Sequence, residues 1–160
     1  LYYHYGIPKH DLSQKLFGIF PHRVLQPFHP LLRGFDETFY VPHSRHTCNW
    51  KDEILACGKL EILTESPMAG VHIAASFDGR QFFVTGHSEY DRGTLAAEYF
   101  RDLDKGLPIQ IPYNYFDGDN PENEPKFIWR AHANLLFVNW LNYFVYQQTP
   151  YDLRTMIQGS

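Results

Sequence analysis

The chain has 160 residues, 44% of them hydrophobic and 17% aromatic, which is enough apolar material for one domain with a buried core. A net charge of -4 at pH 7, with no cluster of Lys or Arg, argues against a protein that binds nucleic acid. Two cysteines are too few for a disulfide scaffold, and no apolar run is long enough to span a bilayer. The composition therefore predicts a cytoplasmic protein that binds neither nucleic acid nor membranes.

The first part of the chain is predicted to contain a helix end, one strand, a long loop and a short helix. Residues 1–5 form an aromatic run stopped by Gly6 and Pro8, which is typical of the last turn of a helix that begins upstream. The apolar run at 15–20 predicts a buried strand ended by a proline. Residues 21–47 hold four prolines and four histidines and predict an irregular loop of the kind that carries function. Residues 49–57 suit a short helix.

The rest of the chain is predicted to alternate strands and helices. Residues 60–65 suit a strand, and the apolar runs 71–76 and 81–85 flank Asp78-Gly79, a strong hairpin signal. Residues 94–105 have apolar positions at spacings of four and predict an amphipathic helix that stops at Gly106. Residues 126–146 predict a longer, largely buried helix. This mixture of elements indicates an α/β or α+β layer fold.

His87 and Glu89 are the candidate catalytic residues. They follow directly after the second hairpin strand, at a strand end where α/β folds commonly bind ligands. A carboxylate two residues from an imidazole can accept a hydrogen bond from one ring nitrogen, which leaves the other nitrogen free to take a proton. The spacing alone is weak, because His-x-Glu is common in ordinary loops.

The nucleophile that such a base would serve is not evident in the sequence. Cys57 lies in an apolar stretch and is typical of a small buried hydrophobe. Cys48 lies near His46, but no glycine-rich elbow or helix start accompanies it to lower the pKa of a thiol. There is also no G-x-S-x-G elbow. We therefore expect the nucleophile to lie before Leu1.

Two further groups of polar residues have ordinary interpretations. His43, His46 and Cys48 lack a fourth ligand at a credible spacing, so we predict no metal site and favour a loop that binds a polar substrate. Arg101 has the donor geometry to bind a carboxylate, but a surface ion pair with Asp102 or Asp104 explains it equally simply.

Six sequence motifs, taken together and in this order, closely resemble the homoserine O-acyltransferases (the homoserine trans-succinylase and acetylase family) of bacterial methionine synthesis. The resemblance extends from Leu1 to about Arg154. The motifs are Tyr5-Gly6-Ile7-Pro8-Lys9, Arg33-Gly34-Phe35-Asp36, Pro42-His43-Ser44-Arg45, Phe83-Val84-Thr85-Gly86-His87-Ser88-Glu89-Tyr90-Asp91, Pro112-Tyr113-Asn114-Tyr115-Phe116 and Asn139-Trp140-Leu141-Asn142-Tyr143.

The resemblance implies a class I glutamine-amidotransferase-like (flavodoxin-like) three-layer α/β fold, a parallel sheet flanked by helices, of which residues 1–160 would be the C-terminal part of one acyltransferase domain. It implies that His87 is the base and Glu89 the orienting acid of a Cys–His–Glu triad. The cysteine would lie in a C-W-G-A-Q-A-G-like elbow just before Leu1. Lys15, Ser44 and Arg101 match positions that bind the amino-acid substrate, with Arg101 pairing with its carboxylate.

The implied reaction transfers an acyl group, acetyl rather than succinyl, from acyl-CoA to the hydroxyl of L-homoserine, with no cofactor, in a homodimer. Ser88 stands where the family usually has proline, which leaves the His and Glu spacing intact. Three alternatives remain open: a serine O-acetyltransferase on the same scaffold, a glutamine amidotransferase-like hydrolase, and a binding module without catalysis. The sequence does not distinguish the acyl donors or the two acceptors.

Overall fold

A computed structural model describes residues 1–148 of the chain. These residues form an antiparallel sheet with helices packed against it. The strands are β1 (His10–Val24), β2 (Thr38–Cys48), β3 (Leu60–Ser66), β4 (Gly70–Ser76) and β5 (Phe82–Val84), and the helices are α1 (Tyr2–Tyr5), α2 (Lys51–Ala56), α3 (Thr94–Asp104) and α4 (Arg130–Trp140). Short 3-10 turns lie at Pro30–Leu32 and Asp117–Asp119, and a π-helical turn at Leu141–Val145 continues α4. The part of the predicted resemblance that reaches Arg154 extends outside the described residues.

The sheet differs from the predicted parallel one. Its strand order is β2-β1-β3-β4-β5, and every neighbouring pair within it is antiparallel. Within residues 1–148, parallel pairing is limited to an isolated bridge between Gly18 and Tyr113. Parallel strands need crossover connections of about a dozen residues. The links between β3 and β4 (residues 67–69) and between β4 and β5 (residues 77–81) are too short for such a crossover, so these two pairs must be antiparallel.

The predicted loop over residues 21–47 is wrong, because most of it is strand. Pro21 lies inside β1 and Pro42 inside β2. A proline is tolerated where no neighbouring strand needs its N–H group. β2 is an edge strand, and β1 pairs with β3 only at Arg23 and Val24, so the β3 side of Pro21 is open. Pro21 and Pro42 therefore lie on strand sides with which no other described strand pairs, and they do not indicate a loop.

The predicted hairpin is confirmed. β4 and β5 pair antiparallel, with Ala75 opposite Phe82. Gly79 has φ +68°, a conformation that a side chain disfavours, and the Asp78 carboxylate accepts hydrogen bonds from Ser76 Oγ (2.5 Å) and Arg80 N (3.1 Å). The turn is thus built by the Asp-Gly pair, and it returns the chain to the sheet just before His87.

The sheet is strongly curled, so that strands distant in its order meet across its concave face. In a flat sheet, β2 and β4 would be roughly 14 Å apart, three strand spacings. In this structure the rings of Phe39 on β2 and His72 on β4 have their centroids 5.9 Å apart. The curl therefore brings side chains of β2 and β4 into contact, and the candidate site lies where the two strands approach each other.

The helices confirm the sequence predictions in position and only partly in burial. α3 ends just before Gly106, as predicted, and buries Leu95, Tyr99 and Asp102. The predicted helix over 126–146 begins later, at Arg130, and is less buried than expected. Phe137, Val138 and Trp140 are 42–50% exposed. Because apolar residues occur on most faces of this helix, the sequence predicted the helix but did not show which face is buried against the rest of the protein.

Candidate active site

The chain segment that carries His87 lies between β2 and β4. The N–H of Thr85 donates to the carbonyl of His72 on β4 (2.9 Å), and the N–H of His87 donates to the carbonyl of Pro42 on β2 (2.9 Å). Between them, Gly86 approaches β2 so closely that a Cβ atom there would overlap Cγ1 of Val41. His87 therefore follows β5 as predicted, and its backbone is attached to both sides of the curled sheet.

His87 and Glu89 form the predicted pair. Nδ1 of His87 lies 2.8 Å from Oε1 of Glu89. A carboxylate only accepts, so Nδ1 carries the proton and Nε2 of the neutral ring keeps its lone pair. Among residues 1–148 no group is hydrogen-bonded to this Nε2, and the side chain is 35% exposed. The geometry is that of a general base with an oriented ring and an accessible acceptor nitrogen.

The ring of Tyr90 supports the imidazole. The two rings are stacked, with centroids 4.3 Å apart and planes 10° apart. The Tyr90 hydroxyl in turn donates to Oε1 of Glu98 on α3 (3.2 Å). Burial and the neighbouring Glu98 charge raise the pKa of Tyr90 to about 12, so it remains a neutral donor. Tyr90 thus connects His87 to α3.

Glu98 joins two of the predicted substrate-binding residues. Its Oε2 accepts a hydrogen bond from Ser44 Oγ (2.6 Å) and lies 3.3 Å from Lys15 Nζ. Burial alone would raise the pKa of Glu98, but the hydrogen bonds from Ser44, Lys15 and Tyr90 outweigh it and hold the pKa below its ordinary value. The carboxylate is therefore charged, and it binds side chains of β1, β2 and the loop after His87 together.

Arg101 is connected to this group through Asp102. Its Nε and Nη2 lie 2.8 and 2.7 Å from Oδ1 of Asp102, and Lys15 Nζ lies 3.7 Å from Oδ2 of the same carboxylate. The hydrogen bond from Arg101 lowers the pKa of Asp102 below its ordinary value. The ion pair with Asp102, the simpler of the two interpretations of Arg101, is therefore present. The side chain of Arg101 is nevertheless 53% exposed, and among residues 1–148 no partner is found for its Nη1 donors.

Two cavities adjoin these residues. His87 and Glu89 lie at the rim of one of about 700 Å³, whose walls include Phe83, Phe137 and Trp140. Lys15 and Asp102 line another, of about 500 Å³. The predicted catalytic pair and Lys15 thus border different cavities, and Tyr90 and Glu98 connect them.

No role was predicted from the sequence for Glu98, or for Tyr90 beyond its place in a motif, and Asp102 was considered only as a surface partner of Arg101. Glu98 and Asp102 are four residues apart on α3 and therefore project from one helix face, which is a usable signal. The signal was weak because acidic residues on an amphipathic helix are usually solvated.

His43, His46 and Cys48 lie on β2 and differ in exposure. His46 is exposed, whereas His43 is buried beside His22 on β1 and His72 on β4. Both Cys48 and Cys57 are half-buried free thiols. Cys57 packs against an apolar cluster that includes Ile54 and Leu60, close to the predicted buried position. Within residues 1–148 neither thiol is hydrogen-bonded to an imidazole, so this part of the chain presents a base without a paired thiol.

Comparison with known protein families gives one consistent result. A family model described as homoserine O-succinyltransferase matches residues 1–151. A homoserine O-acetyltransferase of Bacteroides thetaiotaomicron is 62% identical over 153 residues, which cover 96% of this chain and 50% of that protein. One of Brevibacillus brevis is 59% identical with the same coverage. The chain therefore spans about half the length of these relatives.

A solved structure supports the fold. A glutamine amidotransferase from Thermotoga maritima has a TM-score of 0.51 to this chain at 12% identity, covering 84% of this chain and 50% of that one. At this identity the likeness concerns the fold alone. In the described part of the chain, no helix has the length and apolar character needed to cross a bilayer.

Proposed function

Since the chain belongs to the homoserine O-succinyltransferase family, we propose that the complete protein transfers an acyl group from acyl-CoA to the side-chain hydroxyl of L-homoserine. The observation that carries this proposal is the 2.8 Å hydrogen bond between His87 Nδ1 and Glu89 Oε1, which leaves Nε2 free to accept a proton. We propose acetyl rather than succinyl as the acyl group, because the relatives cited above are named homoserine O-acetyltransferases.

In the first step, a cysteine in the half of the protein not covered by this chain attacks the thioester carbonyl of acyl-CoA. Nε2 of His87 removes the thiol proton, the sulfur–carbon bond of the acyl-enzyme forms, and the bond to the CoA sulfur breaks. The imidazolium then gives its proton to the departing CoA thiolate. Glu89 stabilises the imidazolium through its bond to Nδ1.

In the second step, the homoserine hydroxyl attacks the acyl-enzyme. His87 takes the hydroxyl proton as the oxygen–carbon bond forms, and it returns that proton to the cysteine sulfur as the thioester breaks. A hydroxyl is a poor nucleophile at neutral pH. The base is therefore needed more in this step than in the first, where the attacking group is a thiol.

We propose that the charged group around Glu98 and Asp102 binds the amino-acid acceptor. Lys15, Ser44 and Arg101 provide donors there, and Arg101 keeps free N–H groups beyond its bond to Asp102. The acceptor's carboxylate would bind those N–H groups, while Glu98 keeps Lys15 and Ser44 in place.

Several features of the complete protein remain predictions. They are the three-layer fold with a parallel sheet, the cysteine elbow upstream of residue 1, the homodimer and the cytoplasmic location. A second candidate function is that of a hydrolase that releases ammonia from glutamine, because the fold resembles that of a glutamine amidotransferase. That reaction would use the same His87–Glu89 pair with water as the second acceptor.

One assay separates these functions. We expect the complete protein to release CoA from acetyl-CoA only when homoserine is added, and more slowly from succinyl-CoA or with serine. Ammonia release from glutamine without any CoA release would overturn the proposal. Mapping of iodoacetamide labelling should identify a reactive cysteine outside this chain. Labelling confined to Cys48 would instead favour a dyad of that thiol with a nearby histidine.

A further inference from the structure

Three fully buried histidines lie beneath the segment that carries His87. They are His22 on β1, His43 on β2 and His72 on β4, each with 0% exposure. One ring nitrogen from each lies within 4.8 Å of the others. The curl of the sheet is what brings these three strands together. A buried imidazole must have hydrogen-bond partners or it destabilises the fold, so the partners reveal what the cluster does.

The hydrogen bonds fix the proton on each ring. The carbonyl of Phe20 accepts from Nδ1 of His22 (3.0 Å), so Nε2 of His22 must be an acceptor. Nε2 of His43, 3.2 Å away, must then be the donor. Nδ1 of His43 accordingly accepts from Nε of Arg45 (3.4 Å). These assignments are mutually consistent. Arg45 donates to His43, His43 donates to His22, and His22 donates to the carbonyl of Phe20.

The same reasoning applies to His72. Its Nδ1 lies 3.3 Å from the N–H of Gly86, which can only donate, so the proton of the neutral ring is on Nε2. Within residues 1–148 that Nε2 has no hydrogen-bond partner. Burial lowers the pKa of all three rings, to about 4 for His22, which keeps them neutral.

A metal ion suits this arrangement poorly. A cation bound between the facing Nε2 atoms would need a lone pair on Nε2 of His43, and the Arg45 donor places the proton there. A lone pair on Nε2 of His72 would likewise require a proton on Nδ1, which faces the N–H of Gly86. The guanidinium of Arg45 also adds positive charge beside the cluster. The hydrogen bonds therefore favour a proton-ordered cluster over a metal centre.

The cluster contacts the backbone on both sides of Gly86. His72 accepts twice from this segment, with its carbonyl from Thr85 N (2.9 Å) and with Nδ1 from Gly86 N. On the other side, Gly86 packs on His43: a Cβ there would lie 3.0 Å from Cε1 of His43, and its overlap with Val41 requires glycine at this position. The residue that follows is His87, whose own N–H is bound by Pro42, the neighbour of His43.

We propose that His22, His43 and His72 are positioning residues for His87: the cluster holds Thr85 and Gly86 between β2 and β4 and so sets where the imidazole of the base stands. This inference rests on the proposed role of His87 in acyl transfer. His72 provides the acceptor for the Gly86 N–H group, His43 forms the surface against which Gly86 packs, and His22 fixes the ring of His43.

The test compares two substitutions of His72 in the complete protein. His72→Leu removes the acceptor at similar volume, whereas the side-chain oxygen of His72→Asn can take the place of Nδ1. We expect kcat to fall about 10-fold or more in His72→Leu, because small displacements of a catalytic group are costly, with KM for both substrates little changed. His72→Asn should restore kcat to within about threefold of the unmodified protein.

Thr64→Val is the matched control. It removes a buried acceptor for another amide of β4, that of Ile73 (3.2 Å), and Thr64 itself lies on β3 and has no hydrogen bond to residues 85–87. We expect it to destabilise the protein about as much as His72→Leu and to leave kcat unchanged. Equal loss of kcat in Thr64→Val and His72→Leu, or no rescue by asparagine, would show a structural role only and overturn the inference.

A second measurement does not depend on activity or on any variant. Nitrogen-15 NMR of the imidazoles in the unmodified protein should show protons on Nδ1 of His22 and on Nε2 of His43 and His72. Stoichiometric zinc bound by these nitrogens would overturn the inference in favour of a metal centre. If His87→Ala keeps normal turnover, both the proposed function and this inference fail. If His87→Ala is inactive but His72→Leu is normal, only this inference fails.

Discussion

His87 and the buried histidine cluster place the same side chain in two different surroundings. His87 is one-third exposed, with a carboxylate on one ring nitrogen and no described partner on the other. The three cluster histidines have no exposure, and neutral donors or acceptors and one arginine determine their protons. The two surroundings differ in burial and in the type of partner, and these two properties determine whether an imidazole is available to exchange a proton.

The strongest test of the comparison is His87→Ala in the complete protein. Acyl transfer should fall by roughly 10³-fold or more, because the acceptor hydroxyl loses its base. The unfolding free energy should change little, since the side chain is partly exposed. CoA release and urea unfolding measure the two effects. Near-normal turnover would remove His87 from the mechanism.

Low pH should affect the buried cluster through stability. The folded pKa values of His22, His43 and His72 are lowered, so the unfolded chain binds more protons below about pH 6.5. Stability is therefore complete above that pH and falls as the pH decreases, by about 3 kcal/mol from His22 alone by pH 4. Glu98 and Asp102, whose folded pKa values are also lowered, add to the loss only below about pH 4.5.

Urea unfolding between pH 7 and pH 5 therefore reports on the histidines. His22→Phe should flatten the dependence of unfolding free energy on pH, although it also destabilises the protein at pH 7 by leaving His43 Nε2 without its acceptor. His46→Gln is the control, because that side chain is exposed and outside the cluster. An equal slope in His22→Phe and the unmodified protein would contradict the assignment of a neutral buried ring.

Gly86→Ala tests the contact between the buried histidine cluster and the segment that carries His87. The added methyl group would overlap Val41 and press on His43, which should cost about 1–3 kcal/mol of stability and displace His87. Gly93→Ala is the matched control, since a Cβ there meets no atom within 4 Å. We expect Gly93→Ala to keep both stability and turnover. Full activity in Gly86→Ala would mean that the segment can move without consequence.

The smallest expected effect is that of Arg101→Ala. Loss of one exposed guanidinium should raise the KM for the amino-acid acceptor by roughly 10-fold and leave the KM for acyl-CoA unchanged. Arg130→Ala, at the exposed start of α4, provides the comparison. Steady-state kinetics with each substrate varied in turn decide the matter. An effect confined to acyl-CoA would remove Arg101 from the acceptor site.

The sequence predicted the local parts of this structure well. The Asp78-Gly79 hairpin, the helix at 94–105 and the pairing of His87 with Glu89 all depend on residues close together in the chain. Short-range spacing therefore contained enough information to place them. The family resemblance identified His87 and Glu89 by motif, and the structure adds the geometry of their hydrogen bond.

What the sequence did not reveal depends on contacts between distant residues. Pro21 and Pro42 were taken as loop residues because the unpaired sides of β1 and β2 are visible only once the strand order is known. His22 and His43 were counted among the loop histidines for the same reason. Alternate residues of a strand lie on the same face of the sheet. Had the strands been identified, this rule would have placed His22 on the same face as Phe20, and His43 on the same face as Val41. The curl of the sheet, which brings His72 to the other two histidines, cannot be predicted from residues that are neighbours in the sequence.

The curl of the sheet also bears on the order of folding events. The bonds that hold His87 join β2, β4 and the residues after β5, which are far apart in the chain. Contacts of long sequence separation form late and slowly, because the entropy of closing the intervening loops must first be overcome. We therefore expect His87, the proposed base, to reach its place only after β1 to β4 have assembled. Partly folded molecules, even those with a complete hairpin at 70–84, would lack the bonds that hold residues 85–87 between β2 and β4.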